Sequence, residues 1–170
     1  MSTTVSAASS AGPPSIVRGL DRIVGWLNSV PYSLLALPLR AALATVFWNS
    51  YRAHVANWDT TLYLFENQYH VPLLPPDFAA YLTIGIEVCA PVLLVLGLLT
   101  RPAVLVLLGM TTVIEVFIYP QAWPTHIQWA AMMLVLLCRG PGALSVDHLI
   151  DRWVHGRGSP GTASAGGAGR

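Results

Sequence analysis

The sequence has no lysine, and charged residues of both signs make up only 10% of its 170 residues. Soluble domains carry about 25%. Eight acids and nine arginines are too few to cover a water-facing surface of this size. Their near balance, a formal charge of +1, excludes a protein that holds nucleic acid through clustered basic residues. Cysteine is equally scarce. Cys89 and Cys138 both lie in apolar runs, far apart in membrane depth and with no Cys-x-x-Cys, which argues against a disulfide scaffold and a dithiol mechanism. No positive charge precedes Arg18, so a secretory signal is not expected. What the chain does have is hydrophobicity, at 54% of residues, and this composition reads as an integral membrane protein.

The pattern predicts an all-α fold: a four-helix transmembrane bundle with an N-terminal interfacial helix and a structured outer loop. Residues 1–15 lack periodicity and read as disordered. Across 16–30, Ile16, Leu20, Ile23, Val24 and Leu27 recur at helical spacing opposite Arg18, Asp21 and Arg22. That stretch is too short and too charged to cross a bilayer, so it is expected at the lipid surface. Apolar spans follow at about 34–52, 78–99, 102–119 and 123–138, making up a membrane domain over 31–139. Arg18, Arg22, Arg101, Arg139, Arg152 and Arg157 all fall on one side of such a chain, which puts both termini in the cytoplasm. Outside, the long connection 53–77 invites a short helix capped by Asp59, with Leu62, Phe65 and Tyr69 on one face, lying across the bundle mouth. After Gly140-Pro141-Gly142, Ser145 can cap a short amphipathic helix within 140–155. The Gly/Ala/Ser-rich end, 156–170, reads as disordered.

Ionisable side chains inside a membrane cost about 2.5–3.5 kcal/mol each and so need partners. Four candidates for ligand binding or proton handling stand within the spans: Arg40, Glu87, Glu115 and His126. Depth places Glu115 and His126 at a similar level on either side of the Pro120–Pro124 turn, within reach of a shared hydrogen bond. Arg40 either climbs toward Glu87 or snorkels to the headgroups. Pro91 removes the N–H that would bond the Glu87 carbonyl, so a kink is expected at the acid, with Thr83 one turn away as a hydroxyl donor. Glu87 reads equally well as a neutral acid that staples helices together, and His126 as an interfacial histidine bonded to Glu115 with no chemistry. Because only His126 lies clearly within a span, a bis-histidine haem is not expected. No metal site is either.

The block Arg40-Ala-Ala-Leu-Ala-Thr-Val-Phe-Trp48, the stretch Glu87-Val-Cys-Ala-Pro-Val-Leu-Leu-Val-Leu-Gly-Leu-Leu-Thr-Arg101, and Tyr119-Pro-Gln-Ala-Trp-Pro-Thr-His126 resemble the DoxX family of small bacterial membrane proteins. Arg139-Gly-Pro-Gly-Ala-Leu-Ser-Val-Asp147 is similar to the family's usual ending. The resemblance implies a four-helix membrane bundle in the bacterial inner membrane and redox-linked roles, since relatives are associated with thiosulfate:quinone oxidoreductase and with oxidative or thiol stress. The chain departs from the family at the outer end of span one. Relatives carry Ser-Gly-x-x-Lys there, and this sequence has Ser50-Tyr51-Arg52-Ala53-His54, which makes Arg52 and His54 the outer-mouth candidates.

Three readings follow. In the first, the protein is an accessory membrane subunit of a redox system, with a polar pocket for a quinone or small sulfur compound and a redox enzyme as partner. In the second it is an oligomeric small-solute or proton-coupled transporter, four spans being few for a complete pathway. In the third it is a scaffold whose polar residues only fix helix packing.

Overall fold

The structure, a computed structural model, describes residues 15–69 and 71–155. The disordered ends expected up to residue 14 and over 156–170 lie outside the described residues, as does His70. Seven α-helices and no strand occur among the described residues: α1 (Ser15–Asn28), α2 (Tyr32–Ala56), α3 (Trp58–Asn67), α4 (Pro76–Leu96), α5 (Thr100–Val113), α6 (Trp123–Arg139) and α7 (Val146–His155). A π-helical turn, Ile114–Ile118, prolongs α5, and a 3-10 turn, Pro120–Ala122, leads into α6.

Chain contacts divide the molecule into two compact units, one ending at Pro31 and the other beginning at Tyr32. The first holds α1, an amphipathic helix whose Leu20, Ile23, Val24 and Leu27 are exposed. In the second, α2 packs on α4, α4 on α5, α5 on α6, and α6 on α2. The core between them is apolar, with Leu43 and Phe47 from α2, Leu94 from α4, Val104 and Leu107 from α5, and Met133 and Leu136 from α6. Outside that core the surface stays apolar, with Val95, Leu105, Val116 and Val135 exposed. Such a surface is stable only where lipid replaces water.

Two helical stretches are long and apolar enough to cross a membrane, Pro76–Leu96 (21 residues) and Thr100–Ile118 (19 residues), and up to three if Ile16–Asn28 and Tyr32–Ala56 are counted as one span. At 17 residues α6 is shorter than either. Helix α4 runs on through Pro91 as one element. Cys89 and Cys138 are free and exposed, not packed in the core.

The connection between α2 and α4 folds as a cap. Helix α3 lays Phe65 on Ala79 and Ala80 of α4, with Trp58, Leu62, Tyr69, Val71 and Leu74 packed around them. Asn57, not Asp59, precedes this helix. Asp59 sits in its first turn, where a carboxylate meets the positive end of the helix dipole.

At the opposite end Arg40, only 3% exposed, is fully engaged with backbone. Its Nε donates to the Leu94 carbonyl at 2.6 Å and Nη2 to that of Val95 at 2.6 Å. Nη1 donates to the carbonyls of Leu144 at 2.8 Å and Pro141 at 3.3 Å. A guanidinium thus satisfies carbonyls at the negative end of α4, which no further helical turn can reach. Gly97 follows with φ +66°, and a Cβ there would lie 2.6 Å from Ser145 Cβ and 2.7 Å from Arg40 Nη2, so only glycine fits. Leu99, at φ 47°, offers no side-chain cap to α5. Asp147 supplies it instead, accepting from the Leu99 N–H at 2.8 Å and the Thr100 N–H at 3.0 Å. Ser145 caps α7 through the His148 N–H at 3.2 Å, as the sequence predicts.

Candidate functional site

Between the Arg40 brace and the α3 cap lies a cavity of about 520 Å³. Its polar lining comes from α2 (Ser50, His54), α4 (Thr83, Glu87), the start of α6 (His126), and the hydroxyl-bearing rings of Tyr69 and Tyr119. Phe65, Ile86, Met110 and Trp129 are among its apolar walls.

Glu87 is the most deeply set of these groups, at 1% exposure. Both of its oxygens are engaged by α2. Ser50 Oγ donates to Oε1 at 2.7 Å, and His54 Nδ1 meets Oε2 at 2.8 Å. Ser50 and His54 can share one acid because they are four residues apart, on one helical face. Ser50 thus plays the part expected of Thr83, which lines the cavity beside the acid. Glu87 does not pair with Arg40, and Arg40 does not snorkel.

The second pair forms where depth matching put it. His126 Nδ1 meets Glu115 Oε2 at 2.5 Å, with His126 itself 7% exposed. Glu115 stands in the π-helical turn, where Tyr119 N–H reaches back five residues to the Ile114 carbonyl at 2.7 Å. Such turns are rare and concentrate at functional sites. Glu115 does not line the cavity; it backs the ring that does.

The two pairs share one chemistry. A carboxylate on Nδ1 fixes the ring's orientation and favours the Nδ1–H tautomer, leaving Nε2 as the atom with a lone pair to offer. No hydrogen bond from a described residue reaches Nε2 of either ring. Sequence reasoning had placed His54 outside the spans, because α2 was not expected to continue helically as far as Ala56. Arg52 is exposed and does not line the cavity. No group of three or more His, Cys, Asp or Glu side chains that could hold a metal comes together among the described residues.

The outer wall closes on Tyr69 and Tyr119, whose hydroxyls meet at 2.7 Å and whose rings cross edge to face at 5.7 Å. Burial, and the neighbouring Tyr119 hydroxyl, push the Tyr69 phenol well above the ordinary tyrosine range. The Tyr69 oxygen therefore keeps its proton through the neutral range.

Residues 35–120 match the family model DoxX, half of the chain. The chain belongs to the DoxX family. The DoxX match contains Arg40, Ser50, His54, Glu87 and Glu115, and it ends before His126 and the Gly140–Asp147 segment. Where the resemblance sets a lysine in DoxX relatives, this member has His54, and the structure hands that position to Glu87. No curated protein and no solved structure matches the chain.

Proposed function

We propose that this DoxX-family protein is an accessory subunit of a membrane redox system and that its cavity holds a quinone. One observation carries the reading: two histidines, each fixed by a carboxylate on Nδ1, line the same intramembrane cavity. Their Nε2 atoms suit a ligand with two oxygens that alternate between carbonyl and hydroxyl, because Nε2 of the neutral ring accepts from a hydroxyl and, once it takes up that proton, donates to a carbonyl. The aromatic and aliphatic walls suit its ring. An anionic sulfur compound is a poorer occupant, since the one acid lining the cavity is Glu87 and neither Arg40 nor Arg52 lines it.

On this reading the protein crosses a bacterial inner membrane four times, through α2, α4, α5 with its π turn, and α6. Both termini are cytoplasmic, and α1 and α7 lie in the inner interface. The arginine distribution supports this topology. The electrons come from a redox enzyme partner, because the chain itself offers no redox centre in its sequence beyond two separated thiols.

The test is quinone reduction in membranes carrying Glu87→Gln or His126→Ala at normal expression. The reading expects a loss of about tenfold or more in each, the order of one buried hydrogen bond. Unchanged rates in both retire it.

A further inference from the structure

Two further grooves mark the outside of the helical unit, and they differ in one respect. The groove between α2 and α4, of about 430 Å³, is lined by residues such as Ala41, Trp48, Pro91 and Val95, none of which lines the cavity. The groove between α4 and α5, of about 570 Å³, runs past Phe78, Gly85, Cys89 and Leu93 and shares Leu82, Ile86 and Val106 with the cavity. Those three side chains are a single-layer wall, with the polar cavity behind it and the apolar groove in front. Leu82 is 42% and Val106 47% exposed, so the wall faces outward to the membrane.

We infer that the α4/α5 groove seats the apolar tail of an amphiphilic ligand, whose compact polar head passes Leu82, Ile86 and Val106 to reach the cavity. The inference rests on the proposed cavity ligand and adds its chemical class and its route. Entry through the outer mouth would carry the tail through water, where each exposed methylene is unfavourable. That mouth is also latched by Tyr69 and Tyr119. Entry from the side leaves the tail in apolar surroundings throughout. Along α4 the groove spans Phe78 to Leu93, roughly 22 Å of helix, enough for an extended chain. The occupant is therefore a tailed molecule drawn from the bilayer, not a water-soluble metabolite.

Gly85 provides the test. A Cβ there would meet nothing within 4 Å, so Gly85→Leu starts its side chain in open space at the groove. The control is Ala41→Leu in the unconnected groove. The probes are 2,3-dimethoxy-5-methyl-1,4-benzoquinone with and without a decyl tail, titrated into the full chain in nanodiscs, with affinities referred to concentration in the bilayer. The unaltered protein should hold the tailed probe about tenfold more tightly than the bare head. Gly85→Leu should abolish that advantage while leaving bare-head binding in place, and Ala41→Leu should leave both. A tail advantage that survives Gly85→Leu, or that Ala41→Leu removes equally, overturns the groove as the tail site. Failure of both probes to bind the unaltered protein overturns the cavity reading, and the tail site with it.

Discussion

His54 Nδ1 and Glu87 Oε2 stand 2.8 Å apart, joining the last turn of α2 to the middle of α4. With Ser50 donating to the other oxygen, the buried acid has two partners from one helix. A buried carboxylate so placed sets the tautomer of its imidazole. Glu87→Gln turns an amide toward Nδ1, and a donor there reverses the preference. Nitrogen chemical shifts of His54 should report Nδ1–H in the native protein and Nε2–H in the variant. The same tautomer in both would show that the acid does not orient the ring.

Arg40 should prove structural. Its planar fork reaches four carbonyls from two segments, a geometry that a lysine point charge cannot copy. Arg40→Lys should lower stability by about 2–4 kcal/mol, the order of the charged hydrogen bonds lost. Thermal unfolding in detergent measures this. Any folded fraction should bind ligand normally.

Asp147 is the distant cap of α5, and its substitution should behave as a capping change. Asp147→Ala should cost about 1–2 kcal/mol, and Asp147→Asn much less, because asparagine caps nearly as well. Equal losses in the two variants, read by the same unfolding assay, would mean that charge and not capping is what matters.

The Tyr69–Tyr119 latch should weaken in Tyr69→Phe by about 1 kcal/mol. Faster amide hydrogen exchange in α3 is the readout, and Tyr119→Phe should match it with little added by the double variant. The latch also has a pH sign. The Tyr69 phenol ionises at higher pH folded than unfolded, so the unfolded chain loses its proton first, near 10.0. Stability from this group is complete below that value and declines as pH rises above it.

Much of this was legible in the sequence. Period and hydropathy placed the helices close to where they lie, since Pro76, Gly97, Pro120 and Gly140 punctuate the chain as their backbone chemistry requires. Depth matching across the short Pro120–Pro124 turn found the Glu115–His126 pair. The Arg40 site could not be read that way. Its partners are backbone carbonyls, which no side-chain pattern records, and two of them come from a segment about a hundred residues away. The sequence marks His54 only as an outer-mouth candidate beyond span one, because α2 continues past its apolar run, and the π turn at Glu115 depends on a register shift that composition does not encode.

Direct binding tests the central claim, that the two carboxylate-held histidines form one ligand site. The bare benzoquinone head is titrated into the purified protein in nanodiscs, beside His54→Ala and His126→Ala. The account predicts saturable binding to the native chain, weakened about tenfold in each folded variant. Affinity unchanged in both variants, or no saturation in the native protein, would contradict it.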